Sequence, residues 1–440
     1  MREMKDSGIV WIGKIPSAWN VLRIKNSSWL KGRIGWDGLK ADEFTDEGPF
    51  LITGTDFNDG IVNWETCAHI TEERFAEDEL LHIKEGDLLI TKDGTVGKLA
   101  IVRNCPEKVS LNSGVMIVRN NSGWKYDQRF MFYVLSSDVF SQWFESEQKP
   151  GSTIRHLYQQ QFGEFRFPFP SITEQQFIVS YLDKKCAAID EAIARRQQMN
   201  EKLKEYRRSI IFKAITKGLD SDVEMKDSQV PWIGLVPSSW EVSRMKFGIA
   251  FSGSGTTPKS DDPKNYDGSI PWIQSGDLYF QGEIFETSKS VTDIALESYS
   301  ALKLYKPPFI VIAMYGASVG NVAVSNISAC VNQACCVLKP NKKVNMDYLV
   351  YWVQTCKDDL VSQSIGGSQP NISQKTIREE VLPFPSLSEQ SDIVSYLDRK
   401  CEMIDDVYAR NIELIIRLEE YRKSIIYNAV TGKIDCREAV

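Results

Sequence analysis

Polar side chains suited to recognition are concentrated in glycine-rich loops, not in a catalytic cluster. The loops carry lysine, arginine, serine, threonine and asparagine, whose donors and acceptors suit hydrogen-bonded recognition. Loops on a stiff scaffold often hold recognition residues, although each could equally be only a tight turn. The loops are residues 31–36, 92–98 and 150–155 in the first half of the chain and 252–259, 315–320 and 366–371 in the second half.

Motifs that would support catalysis are incomplete or missing. Gly97-Lys98 resembles the end of a phosphate-binding loop, but Leu99 replaces the required Ser or Thr and Lys92 replaces the first Gly. No GxGxxG follows a predicted strand, and no Asn/Asp-Pro-Pro-aromatic tetrapeptide of base methyltransferases is present. The sequence therefore indicates a binding protein, and a cryptic nuclease or methyltransferase is the weaker alternative.

The elements that must position these loops occur twice in the chain. The segment 168–190 recurs as 383–405, and 16 of the 23 aligned residues are identical. A second repeated segment, Trp-Ile-Gly-x-x-Pro-Ser-x-Trp, begins at Trp11 and again at Trp232. The chain is a tandem duplication, and each copy contains a head segment, a variable domain and a long helix.

The repeated segment 168–190 predicts a helix start. Pro168 and Pro170 favour extended backbone before the helix, and Ser171 or Thr173 can cap its first turn. No Pro or Gly follows before Gly218, or before Gly432 in the second copy. Each helix can therefore run about 40 residues, or roughly 60 Å at 1.5 Å per residue.

Both helices carry a heptad pattern that requires a partner helix. The other copy is the expected partner, and pairing between two chains is the alternative. Polar positions within the pattern, among them Asn200, Arg207, Asn411 and Arg422, could fix the register. The predicted apolar seam comprises Leu182, Ile189, Ile193, Leu203, Ile210, Leu397, Ile404, Ile415, Leu418 and Ile425.

The variable domains read as mixed α/β structure. Short apolar runs between glycine turns predict strands near 50–53, 87–91, 99–102 and 115–118, followed by an amphipathic helix over 125–143. The same order recurs near 271–273, 309–312, 321–324 and 335–338, followed by a helix near 346–363. Two domains with one architecture and different loops indicate two versions of one task.

Composition limits the class of protein further. The net charge of −7 argues against general polyanion binding, although residues 173–217 carry ten Lys or Arg against six Asp or Glu. The nine cysteines include no CxxC pair, so a zinc site has weak support. No apolar run is long enough to span a bilayer and the N-terminus lacks a signal-peptide pattern, so we expect a cytoplasmic protein with no membrane partner.

The repeated Pro-Phe-Pro-Ser-x-x-Glu-Gln helix start and the repeated Trp-Ile-Gly head resemble the DNA specificity subunit of type I restriction-modification enzymes. The similarity covers essentially the whole chain. The similarity is more detailed in the second domain. Family motifs there are similar to segments 254–258, 270–273, 276–278, 332–333 and 367–369. The corresponding first-domain segments match more loosely.

The resemblance implies an α/β fold in which two target recognition domains are separated by two long antiparallel coiled-coil helices, a pseudo-two-fold tandem repeat. The expected bounds are 1–172 for the first domain, 173–217 for the first helix, 218–387 for the second domain and 388–440 for the second helix with its tail. The chain would have no catalytic activity, and each domain would read one half of a bipartite target in double-stranded DNA.

The resemblance also implies partners. The helices would set the spacing between the half-sites and dock two modification subunits, which would bind S-adenosylmethionine and methylate adenine. Restriction subunits would add ATP- and magnesium-dependent translocation and cleavage, so no cofactor or metal is expected on this chain. A protein scaffold that does not bind DNA is the rival interpretation.

Direct readout of bases requires side chains with paired hydrogen bonds, such as Arg or Lys to guanine and Asn or Gln to adenine. Residues of these types in the loops are therefore candidates for contact with DNA. They are Lys31, Arg33, Lys92 and Arg155 in the first domain and Lys259, Gln369 and Asn371 in the second.

Overall fold

The computed structural model describes residues 2–33, 39, 43–121, 123–148, 155–278, 282–364 and 370–438. Its contacts divide the chain into two units. Unit 1 comprises Met1–Gln197 and Ile412–Val440, and unit 2 comprises Gln198–Asn411. Each unit contains one variable domain and a segment from each long helix.

Unit 1 combines short strands with helices. Its strands are β1 (Met4–Asp6), β2 (Lys14–Pro16), β3 (Asn20–Arg23), β4 (Ser28–Gly32), β5 (Thr45–Ile52), β6 (Phe57–Asn58), β7 (Ile61–Val62), β8 (Ala68–His69), β9 (Leu88–Thr91), β10 (Leu99–Ile101), β11 (Val109–Leu111), β12 (Val115–Asn120) and β13 (Arg166–Phe169). Its helices are α1 (Ile24–Ser27), α2 (Glu72–Ala76), α3 (Gln128–Ser136), α4 (Asp138–Glu147), α5 (Gln159–Phe162) and the start of α6 (Ile172–Lys217).

The domain of unit 1 is layered around one central sheet. Its six strands have the order β4-β12-β9-β10-β7-β6, and a smaller sheet has the order β11-β5-β8. Alternate residues of β9 pack on opposite faces: Leu88 and Ile90 join the core beneath the helices, whereas Leu89 joins the core shared with the smaller sheet. Both faces of this strand are buried, which explains its continuous apolar sequence.

Unit 2 repeats this order of elements. Its strands are β14 (Met225–Asp227), β15 (Leu235–Pro237), β16 (Glu241–Arg244), β17 (Ile249–Ser254), β18 (Tyr266–Ile273), β19 (Gly282–Ile284), β20 (Ser290–Val291), β21 (Phe309–Ala313), β22 (Val322–Ser325), β23 (Cys330–Val331), β24 (Cys335–Pro340) and β25 (Val381–Phe384). Its helices are α7 (Asp293–Ser298), α8 (Met346–Thr355), α9 (Lys357–Ser362), α10 (Gln374–Glu379) and most of α11 (Leu387–Val430), whose end belongs to unit 1.

The sheets of unit 2 match those of unit 1 strand for strand over most of their width. The larger sheet has the order β17-β24-β21-β22-β19, and the smaller has the order β20-β18-β23. Strand β21 pairs antiparallel with β24 and β22, as β9 does with β12 and β10. The two domains therefore have one architecture, which the order of predicted strands had indicated.

The predicted helix over 125–143 is two helices, so that part of the prediction is wrong. Ser137 between α3 and α4 is extended, with φ −92° and ψ 166°, and its hydroxyl caps α4 by accepting from the backbone N–H of Val139. The helix predicted near 346–363 is likewise divided at Cys356 into α8 and α9. The apolar spacing continues across both breaks, so periodicity alone could not show them.

The two long helices are the largest elements, with 46 residues in α6 and 44 in α11. Helix α6 begins at Ile172 and α11 at Leu387, each one residue before the predicted start. Gly218 and Gly432 follow their C-terminal ends with φ of +74° and +72°. These are left-handed conformations that glycine adopts without steric cost, so the same device ends both helices.

Candidate nucleic-acid interface

The start of α6 ties three segments of unit 1 together. The Trp19 indole donates to Glu174 at 3.0 Å, and Arg2 lies 3.1 Å from the same carboxylate. Gln175 is fully buried, accepts from the backbone N–H of Asp127 at 2.8 Å and donates to the carbonyl of Pro170 at 3.0 Å. The Glu-Gln pair of the repeated motif therefore joins the head segment and α3 to the long helix.

The start of α11 makes the equivalent bonds within unit 2. The Trp240 indole donates to Glu389 at 3.0 Å. Gln390 accepts from the backbone N–H of Asn345 at 2.7 Å and donates to the carbonyls of Lys343 and Pro385, both at 2.9 Å. Asp127 and Asn345 are the N-caps of α3 and α8, so the same polar connection holds each domain against its helix.

The apolar residues of the predicted seam are all buried or half-buried. Leu182, Ile189, Ile210, Leu397, Ile404, Ile415 and Ile425 are buried, and Ile193, Leu203 and Leu418 are half-buried. All of these residues except Ile415 pack with a domain core, that of the first domain in unit 1 and that of the second domain in unit 2. The seam is therefore continuous with each domain core.

Polar residues in the seam form specific pairs. In unit 2, Asn411 donates to Asn200 at 2.9 Å, and Arg207 lies 3.5 Å from Asp405. From the first pair to the second, the residue number increases along α6 and decreases along α11. These helix segments are therefore antiparallel. In unit 1 the duplicate ion pair joins Arg422 and Asp190 at 3.2 Å.

Three segments of the first domain meet where β9 ends. The backbone N–H of Lys92 donates to the carbonyl of Gly114 at 2.8 Å, and the carbonyl of Lys92 accepts from Leu157 at 2.9 Å. These bonds bring together the β9–β10 loop, the β11–β12 turn and the segment before α5. In the second domain, Met314 takes the place of Lys92 and bonds with Ala334 at 2.7 Å and Ile372 at 2.9 Å.

Two of the predicted DNA contacts, Arg33 and Lys92, are buried. Arg33 is 3% exposed and its guanidinium donates to the carbonyl of Leu111 at 3.1 Å. Lys92 is 8% exposed and its ammonium donates to the carbonyl of Arg33 at 2.8 Å. Burial lowers the pKa of Lys92, and the charge of Asp93 partly opposes that shift. Both side chains support the loops from inside, a placement that disfavours direct contact with bases.

The remaining candidates lie at the surface or outside the described residues. Lys31 forms an ion pair with Asp78 at 3.0 Å, and Arg155 forms one with Glu145 at 2.6 Å. Lys259 is exposed on the loop after β17, and Asn371 is exposed beside β21. Gln369 lies outside the described residues. Readout by these surface residues stays a prediction.

Sequence reasoning identified Asn371 but none of the other outward residues beside the three-segment junction. His156 pairs with Asp93 across 63 positions of sequence, and the ring of Tyr158 lies 4.3 Å from the imidazole ring. In the second domain, Tyr315 and Asn371 form a backbone bridge. The only sequence signal was that these residues belong to or adjoin the glycine-rich loops.

The segment 316–320 has the GxSxG pattern of hydrolase nucleophiles, with Ser318 at its centre. Sequence analysis also missed this pattern. Ser318 is 7% exposed, and its hydroxyl donates to the carbonyl of Tyr315 at 3.0 Å. The serine therefore stabilises the turn after β21. Among the described residues, no group of three or more His, Cys, Asp or Glu side chains could hold a metal ion.

None of the helices in the described ranges is long and apolar enough to cross a membrane.

The two similar domains, each joined to segments of the long helices, define a class of tandemly repeated α/β proteins. The sequence profile of the type I restriction modification DNA specificity domain matches residues 30–204 and again 237–413. These matches cover most of the chain and both copies of the repeat. The protein belongs to this family, and the resemblance inferred from its repeated motifs is confirmed.

Characterised relatives match along nearly the full length. The type I restriction enzyme MjaVIII specificity subunit of Methanocaldococcus jannaschii is 23% identical over 438 residues, covering 96% of this chain and 94% of the relative. The EcoBI specificity subunit of Escherichia coli is 24% identical over 453 residues, covering 98% and 90%. These relatives are specificity subunits of type I restriction enzymes.

Solved structures confirm the predicted fold class. A chain from a study of assembly and conformational transition in a type I R-M system has a TM-score of 0.75 at 16% identity, covering 96% of this chain and 99% of that chain. The HsdS subunit of Thermoanaerobacter tengcongensis has a TM-score of 0.54 at 16% identity, covering 96% and 98%. At this identity the similarity establishes the fold alone.

Proposed function

We propose that this chain is the DNA sequence-recognition subunit of a type I restriction-modification complex. Each of its two domains would read one part of a bipartite target in double-stranded DNA, and the chain itself would carry out no chemistry. The paired long helices would fix the separation of the two parts. A subunit acting on chromosomal or incoming DNA in this way would work in the cytoplasm.

One observation carries this proposal: the two domains keep the same backbone junction while the side chains around it differ. Lys92 and Met314 make the same two backbone bonds, yet the residues beside them differ: Asp93 and His156 in the first domain, Tyr315 and Asn371 in the second. A duplicated scaffold with diverged loops suits the reading of two different sequences, because loop side chains supply base contacts. A scaffold that binds only proteins gives no reason for this divergence.

The long helices offer surfaces for partner subunits. In α6, Met199 and Tyr206 are 50% and 52% exposed, and their duplicates in α11, Leu414 and Tyr421, are 37% and 51% exposed. Each copy thus exposes an apolar pair one heptad apart, outside the buried seam. Large exposed apolar side chains are typical of protein-binding surfaces. We assign these pairs to the docking of two modification subunits, one per copy.

The partner subunits would supply the cofactors. Modification subunits would bind S-adenosylmethionine and methylate adenine, and restriction subunits would use ATP and magnesium. Partners would also supply much of the contact with DNA phosphates, because this chain has a net charge of −7 and phosphate contacts make up a large share of protein–DNA interfaces. Cofactor-dependent activity would therefore require the assembled complex.

A gel-shift comparison tests this division of labour. The complex of this chain with modification subunits should bind its target duplex, and the isolated chain should bind it at least about a hundredfold more weakly because it lacks partner cations. A duplex with both parts of the target scrambled serves as the control. Tight sequence-specific binding by the isolated chain would contradict the division, and absence of specific binding by the complex would contradict DNA recognition itself.

A further inference from the structure

The two domains can be aligned residue by residue at the junction through their backbone hydrogen bonds. The backbone N–H of Lys92 donates to the β11–β12 turn, and that of Met314 donates to the β23–β24 turn. The carbonyls of the two residues accept from the segments before α5 and α10, respectively. The residues that donate to them are Leu157 and Ile372, both buried. These bonds define equivalent positions without reference to side-chain identity.

The outward positions follow from that alignment. Asp93 comes after Lys92 as Tyr315 comes after Met314, and His156 precedes Leu157 as Asn371 precedes Ile372. Asp93, Tyr315 and Asn371 are exposed, and His156 is half-buried against Tyr158. Each domain therefore presents one polar pair at the same place: Asp93 with His156 in the first domain, and Tyr315 with Asn371 in the second.

The hydrogen-bonding chemistry of the two pairs differs. An ionised carboxylate only accepts hydrogen bonds, so the pairing of Asp93 with the Nδ1 atom of His156 places the ring proton on Nδ1. In the neutral imidazole, Nε2 is then an acceptor, and the carboxylate keeps acceptor capacity as well. With the imidazole neutral, the first pair therefore presents acceptors to a ligand. The Asn371 amide presents one donor and one acceptor side by side.

These patterns match different base edges in the major groove. Acceptors complement the exocyclic amino groups of cytosine and adenine, which carry hydrogen-bond donors. An asparagine amide complements the N6 and N7 atoms of adenine through two hydrogen bonds. Next to Asp93, the Lys92 ammonium donates to the carbonyl of Arg33, whose guanidinium donates to the carbonyl of Leu111, so the start of the β9–β10 loop is tied to two neighbouring segments.

We propose that Asp93 with His156, and Tyr315 with Asn371, are the specificity-determining pairs of the two domains. The first pair reads the exocyclic amino group of a cytosine or adenine in one part of the target. The second pair reads an adenine in the other part. This inference rests on the proposed DNA recognition and adds the residues and the base chemistry.

The test is the methylation pattern directed by the full complex with the variant Asp93→Asn. An amide at this position adds a donor, so discrimination at one base pair of the first part should fall about tenfold or more. The second part of the target should stay unchanged. Asn371→Asp should produce the converse result, with altered discrimination in the second part only.

The variant Asp59→Asn is the matched control, because Asp59 is exposed in the β6–β7 turn, next to Gly60, whose carbonyl accepts from Ile101 at the far end of β10. It should leave the whole target unchanged. A wild-type complex that reads a bipartite target, with unchanged patterns for both Asp93→Asn and Asn371→Asp, would overturn the specificity pairs alone. A wild-type complex that directs no bipartite methylation would instead overturn the proposed function.

Discussion

Replacing the first variable domain with that of a relative should change one part of the methylated target and leave the other part intact. The exchange of residues 28–163 keeps the β3–β13 ladder, the Trp19–Glu174 bond and the long helices. The original first part should lose modification down to the level of non-target DNA. The expected loss equals the ratio of specific to non-specific binding, which is typically about a thousandfold or more. Methylome sequencing of cells carrying the exchanged gene measures it.

The reciprocal exchange of residues 249–378 is the control for this result. It keeps the β16–β25 ladder and the Trp240–Glu389 bond, which are the counterparts of those retained in the first exchange. It should change the second part of the target only. If either exchange altered both parts, the two domains would not read DNA independently.

Replacing Leu203 with aspartate should separate the helix segments of unit 2 and prevent assembly with modification subunits. Leu203 packs against the core of unit 2, between the polar pairs made by Asn200 and Arg207. A carboxylate there loses the apolar contacts and must remain hydrated. We expect the free energy of unfolding to fall by about 2–4 kcal/mol. Denaturant unfolding and co-purification with modification subunits measure the two effects.

Gln198→Asp is the matched control for charge, because Gln198 is an exposed residue of the same helix. It should change the free energy of unfolding by no more than about 0.5 kcal/mol, as surface substitutions usually do, and should leave assembly intact. Co-purification of Leu203→Asp at the wild-type level would argue against docking on the paired helices.

The scaffold could be predicted from sequence because its signals are local or repeated. Proline, serine and the absence of Pro and Gly defined the long helices to within a residue at their starts. The heptad spacing identified the side that is buried, since it depends only on the helical period. The break at Ser137 escaped prediction because an extended residue in an amphipathic run leaves the apolar spacing unchanged.

The candidate interface was harder to predict because it depends on the path of the backbone. Arg33 and Lys92 have the right chemistry for base contact, but the sequence could not show that their charged groups turn inward to carbonyls of the same domain. Asp93 and His156 are far apart in the chain, and their pairing becomes visible only where the loops meet. Glu174 and Gln175 belong to the repeated helix start, but the sequence could not show that they also bind Trp19 and the N-cap of α3.

We expect this chain to direct modification to a two-part DNA target. Sequencing the methylome of the host with and without this gene, while the modification subunits remain present, measures this role. We predict one methylated motif with two specified parts separated by unspecified bases, and complete loss of that motif when the gene is deleted. An unchanged methylome after deletion would contradict this role.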